Sequence, residues 1–95
     1  MQMHSLGTHR TTNHYDKELD MQVITYWSTP VVKFDSQKII LNTGGWKTTT
    51  TKARMNQASN QYNLGYQVAQ KAFKWFVIFK GKKIEFTGDT ITLER

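Results

Sequence analysis

The side chains of this chain that could do chemistry are cations, amides and hydroxyls, and they cluster in its middle. From Asn42 to Asn63 the sequence reads N-T-G-G-W-K-T-T-T-T-K-A-R-M-N-Q-A-S-N-Q-Y-N and contains no acid. Gly44 and Gly45 permit close backbone approach, Thr48 to Thr51 carry hydroxyls, and a helix starting there offers free N–H groups. With Lys47, Lys52 and Arg54 these are the donors that a phosphate accepts. Arg54, Gln57 and Asn60 are side-chain types that pair with base edges. Lys80, Lys82 and Lys83 form a second basic cluster. The expectation is a nucleic-acid-binding surface made of Lys47, Lys52, Arg54, Gln57, Asn60, Lys80, Lys82 and Lys83. A merely solvated helix face is the more ordinary account of the amides. The nucleotide-binding pattern G-x-x-x-x-G-K-[ST] is absent.

Other chemistries have less to work with. There is no cysteine, which excludes disulfides, thiolate nucleophiles and Cys-based zinc sites. His4, His9 and His14 recur every five residues, a spacing that gathers three ligands neither on a helix nor on a strand, so no metal is expected. Beyond residue 20 the acids are Asp35, Glu85, Asp89 and Glu94, and no pair of them has a spacing suited to general acid and base work. The reading is therefore non-enzymatic, without a cofactor. Trp46, after the two glycines, suits a core plug better than a stacking platform. Phe73, Lys74, Trp75 and Phe76 interleave rings and cations as single-strand-binding surfaces do, although a strand needs aromatics for its core as well.

These groups sit on a chain of 95 residues with 38% hydrophobic and 13% aromatic content, enough for one small domain. The net charge of +6 is unevenly placed. Nine basic residues and no acid lie between Ser36 and Ile84, a field that attracts polyanions. The longest apolar run, Trp75 to Phe79, is far short of the roughly 20 residues a membrane span needs. Met1 to Asp20 is polar with mixed charge and reads as a flexible N-terminal arm, leaving residues 21–95 as the domain.

Within that domain, Met21 to Trp27 alternates β-branched and aromatic residues and reads as a strand, interrupted at Ser28, Thr29 and Pro30. Val31 to Phe34 and Lys38 to Asn42 make a hairpin around Asp35, Ser36 and Gln37. Thr51, Met55, Ala58 and Tyr62 form one helical stripe, with Asn56 and Ser59 placed among the outward groups. After Gly65, Tyr66 to Ala72, Lys74 to Phe79, Lys82 to Thr87 and Thr90 to Glu94 read as a meander of three or four strands. Lys74 to Phe79 is expected to be covered on both faces, and Gly88 and Asp89 to make a II′-type hairpin turn. The expected class is α+β: an antiparallel sheet in the order β-β-β-α-β-β-β with one helix packed across one face.

The segments T-Y-W-S-T-P-V-V (Thr25 to Val32), N-T-G-G-W-K-T (Asn42 to Thr48), T-T-K-A-R-M-N-Q-A-S-N-Q (Thr50 to Gln61) and K-W-F-V (Lys74 to Val77) resemble short uncharacterised proteins of marine tailed phages, cyanophages in particular. The resemblance spans roughly Met21 to Arg95 and leaves the first twenty residues unmatched. Ala69, Ala72 and Ile78 depart from its pattern. It implies a phage or marine metagenomic origin and expression in the cytoplasm of an infected bacterial host, and it carries over no catalytic residue. The expected partner is DNA or RNA. The alternative is a protein-interaction module that binds a host protein, or self-associates as a homodimer through a sheet edge.

Overall fold

The computed structural model describes residues 11–26, 28–45, 47–72 and 74–95. In chain order the elements are β1 (Thr11–Asp16), β2 (Met21–Tyr26), β3 (Thr29–Phe34), β4 (Lys38–Asn42), α1 (Thr49–Tyr62), β5 (Tyr66–Lys71), β6 (Lys74–Phe79), β7 (Lys82–Glu85) and β8 (Thr90–Glu94). The class is the expected antiparallel α+β arrangement with one helix. Its strands divide between two sheets, ordered β1-β2-β3-β4-β8 and β5-β6-β7.

The first sheet gains a strand at each side of the β2–β3–β4 unit. Residues 11–16, expected in a flexible arm, pair with β2 from Thr11↔Tyr26 to Asp16↔Met21. A ladder needs only backbone donors and acceptors, so a polar strand can join it without a core face. The Asp16 carboxylate accepts the Glu18 and Leu19 N–H groups, and Asp20 turns the chain at φ 56°. His4 and His9 lie outside the described residues, as do Trp27, Trp46 and Phe73. Pro30 is accommodated in β3 because it adjoins a register shift between Ile24 and Thr25, and pairing with β4 begins only at Val32.

At the other side, β8 pairs with β4 from Lys38↔Glu94 to Asn42↔Thr90. It leaves the meander, so Gly88 and Asp89 do not close a β7–β8 hairpin. Thr43 holds this crossing: its N–H donates to the Asp89 carbonyl at 2.8 Å and its hydroxyl to the Asp89 carboxylate at 2.9 Å. The β3–β4 turn is fixed by Asp35, whose carboxylate accepts the Gln37 and Lys38 N–H groups at 2.7 and 2.9 Å. These two backbone bonds hold the Asp35 carboxyl below its ordinary value of 3.8.

The helix begins at Thr48, whose side chain accepts the Thr51 N–H, and ends at Asn63 in the left-handed conformation at φ 55°. Thr51, Met55 and Ala58 are buried along the expected stripe, and Tyr62 packs half-buried against Phe34 with ring centroids 5.0 Å apart. Met55 and Ala58 join Ile24, Val32 and Leu41 of the first sheet with Val68 and Val77 of the second in one core. Burying each such aliphatic side chain is worth about 1.5–3 kcal/mol.

Ser59 and Asn56 are not outward groups. Asn56 lies along the β5 edge, donating to the Val68 carbonyl at 3.0 Å and accepting the Val68 N–H at 2.7 Å. The buried Ser59 hydroxyl donates to the Tyr66 carbonyl at 2.7 Å and accepts the Tyr66 N–H at 3.1 Å. Tyr66 in turn donates its hydroxyl to the Met55 carbonyl, and burial pushes its ionisation well above the ordinary tyrosine range. The helix thus supplies, through side chains, the partners a further strand would give.

In the second sheet, β6 and β7 are joined by Lys80 at φ 53° and Gly81 at φ 75°, the two positive φ angles of a type I′ hairpin. Trp75, Val77 and Phe79 face the core, Trp75 meeting Phe86 edge-on at 6.2 Å. The opposite face is open: Phe76 is half-buried and Ile78 is 41% exposed. Among the described residues the double covering expected of this strand does not occur, because the helix occupies the β5 edge rather than the second face.

Ser59→Ala removes a donor and an acceptor from buried backbone and is expected to cost about 1–3 kcal/mol in urea unfolding. A cost near zero would mean that Tyr66 finds other partners. Because the Asp35 carboxyl is depressed in the fold, its contribution is present above about pH 4 and is lost as pH falls through the folded value. Asp35→Asn is therefore expected to lose less stability than the wild type between pH 5 and pH 2, an outcome read by unfolding at both pH values.

Candidate nucleic-acid interface

The helix start, which the sequence marks together with the glycine pair as a phosphate cradle, borders a cleft of about 490 Å³. Its lining is hydroxylic and neutral: Tyr26, Ser28, Thr29, Thr43, Thr48, Thr50 and Thr51, with Val31 among them. Gly44, at φ +63°, lies against Thr29 so closely that an added Cβ would stand 2.6 Å from its Cγ2. No cation belongs to this lining among the described residues.

Of the expected donors, Lys47 is turned to other partners. Lys47 Nζ donates to the carbonyls of Phe86 and Thr87 at 3.2 and 3.3 Å and sits 5.6 Å from the Phe86 ring centroid. It clamps the chain leaving β7. Arg54 lies 5.3 Å over the Tyr26 ring, and its Nη1 donates to Gln57 Oε1 at 3.3 Å, so these two residues occupy one another. The Arg54 Nε is buried without a hydrogen-bond partner among the described residues. Lys52 is half-buried and Asn60 exposed on the same helix.

The three hairpin lysines separate as well. Lys80 stands at the turn with its ammonium 5.4 Å over the Phe79 ring. Lys82 pairs with Phe79, and Lys83 with Ile78, which puts these neighbours on opposite sides of the sheet. The helix flanks β5 while β7 forms the other edge, so roughly 10 Å of sheet divides the helix group from the hairpin group. The structure does not assemble the eight residues into one surface.

It assembles a different set on the open face of the second sheet. The register places Gln67, Ile78 and Lys83 in one row, Ala69, Phe76 and Glu85 in the next, and Lys71 opposite Lys74 at the end. Lys83 Nζ stands 4.3 Å from the centroid of the Phe76 ring, a contact worth about 0.5–1 kcal/mol at an exposed site. Lys71 and Lys74 are exposed and directly opposed, a like-charge pair that costs stability. Glu85 is the one carboxylate of these rows. Sequence reasoning singled out Lys83 and noted Lys74 and Phe76 as interleaved cation and ring, but missed Lys71 and Ile78. The period-2 alternation of Lys74, Phe76 and Ile78 was the signal, and assuming two covered faces concealed it.

A family model for the Kyanoviridae Gp96 protein matches residues 2–92. The chain belongs to that family. The phage resemblance read from the sequence therefore holds, and it extends through most of the first twenty residues, which that reading had left unmatched. No curated protein and no solved structure matches the chain. Among the described residues, no helix of this Gp96-family protein is long and apolar enough to cross a membrane, and no cluster of three His, Cys, Asp or Glu residues could hold a metal.

Gly44→Ala combines a left-handed backbone, costing about 1–2 kcal/mol for an L-residue, with the Thr29 clash. Its unfolding free energy is expected to fall by about 2 kcal/mol or more, and by less when Thr29→Ala is already present. Equal losses in the two backgrounds, measured as a double-mutant cycle, would remove the contact from the account.

Proposed function

We propose that this protein is a non-enzymatic phage accessory protein that binds nucleic acid through the open face of its second sheet, in the cytoplasm of the infected host. The supporting observation is the composition of that face: Lys71, Lys74 and Lys83 surround Phe76 and Ile78, with Glu85 as the counter-charge. The opposed pair Lys71 and Lys74 repels in the free protein, and a polyanion relieves that repulsion while gaining two contacts. Phage-family membership supports a role inside an infected cell without naming one.

For the second sheet, the competing reading of a protein-interaction module acting through a sheet edge meets an obstacle in β7; β1 and β8 are the edges of the first sheet. The β7 edge strand has four residues, and its exposed Lys82 and Lys83 are of the type that keeps edges from adding strands. The β5 edge is already occupied by Asn56 and Ser59.

Fluorescence-anisotropy titration with labelled DNA and RNA over a range of salt tests the proposal. Three lysine contacts predict a slope of log K against log salt of about −2 for a single strand, and the joint change Lys71→Ala, Lys74→Ala and Lys83→Ala is expected to weaken binding at least tenfold. No measurable affinity at low salt, or an affinity indifferent to salt, overturns it. A larger loss from Lys52→Ala with Arg54→Ala than from the three sheet lysines would move the site to the helix.

A further inference from the structure

We infer that this face selects unpaired nucleic-acid strands, stacking a base on Phe76, over duplexes; the inference rests on the nucleic-acid reading above. Phe76 stands on the central strand of three, in the middle row of the open face. Its cross-strand neighbour on β5 is Ala69, a methyl group, so the ring is not walled off on that side. On the β7 side the ring is covered by the ammonium of Lys83, the end of a flexible side chain that can move aside to a phosphate when a base arrives. Ile78, two residues along the same strand and about 7 Å away, is 41% exposed and offers a second apolar contact. Lys71 and Lys74 close the other end, two residues from the ring, where a backbone phosphate would lie.

A duplex cannot use this arrangement. Its bases are stacked on one another and show only their edges, in a major groove about 12 Å wide that admits a helix or a two-stranded ribbon. A flat face of three strands is about as wide as that groove before its side chains are counted. In an unpaired strand each base can leave its neighbours and offer a π-face, and here a single ring, Phe76, stands between Lys74 and Ile78 on the same strand to receive one. From Lys74 to Ile78 the strand spans about 14 Å, the length of a short run of unstacked nucleotides. Glu85, paired with Phe76, is the group that opposes the phosphates on this path.

Three probes of about 12 nucleotides decide the matter by anisotropy with the full chain at one low salt concentration: an oligothymidylate, an abasic sugar–phosphate strand of the same length, and a duplex. The oligothymidylate is expected to bind about tenfold tighter than either of the others. Phe76→Ala is expected to reduce its affinity to that of the abasic strand, Phe76→Tyr to preserve it, and Glu85→Gln to tighten all three probes several-fold. Circular dichroism melts confirm that each variant is folded, and Phe76→Leu, apolar but without a π-face and expected to bind like the abasic case, serves if Phe76→Ala is not. Equal binding of the thymidylate and abasic strands, or tighter binding of the duplex, overturns the inference while leaving a charged nucleic-acid site in place. Failure of all three probes to bind overturns the nucleic-acid reading itself.

Discussion

An edge strand leaves backbone donors and acceptors pointing away from its sheet, and β5 is such a strand on a face of the molecule that must also join the core. The rest of the architecture depends on how those groups are satisfied. Asn56 presents an amide to Val68 in the manner of a neighbouring peptide, and Ser59 does the same for Tyr66 with a single hydroxyl. Because α1 also packs Met55 and Ala58 into the core, the same helix attaches the second sheet to the first. A helix with so few apolar side chains would be a weak wedge between two sheets if burial alone held it. Directional hydrogen bonds in a dry setting add to burial and fix the position of the helix along the strand.

The same constraint explains what the chain shows in its sequence and what it conceals. The stripe of Thr51, Met55 and Ala58 was legible because burial imposes a helical period on residue type. Asn56 and Ser59 were not, since a polar residue docked on a strand edge has the same identity as one in water. The hairpins around Asp35 and around Lys80 and Gly81 were legible from turn chemistry. β1 was hidden because its ladder asks nothing of side-chain hydrophobicity; β8 was legible as a strand, but its partner was not, because its alternation suits pairing with β7 or β4 equally. The Thr43 bonds to Asp89, with those of Thr90 to Asn42 and Arg95 to Gln37, favour β4.

The candidate site divides in the same way. Charge is visible in a sequence, but the side on which a charge emerges depends on register. Lys82 and Lys83 are neighbours in the chain and belong to opposite faces of the sheet. Lys71 and Lys83, twelve positions apart, share one face through β6. The acid-free span from Ser36 to Ile84 is therefore not one electropositive surface. Folding turns part of it to internal use, as when Lys47 is spent on two carbonyls of the chain that follows β7.

The position of β8 has a consequence for how the molecule is made. Asn42 and Thr90 touch across 48 intervening steps of chain, and β4 keeps an unpaired edge until β8 arrives. During synthesis β1 to β4 can form their local hairpins early, whereas closure of this sheet waits for residues 90–94 to emerge. In that interval Ile39 and Leu41 stand on an open, sticky strand. Crossing back late makes the nascent chain vulnerable to mispairing with its own copies, and the speed with which residues 90–94 find β4 becomes a determinant of yield.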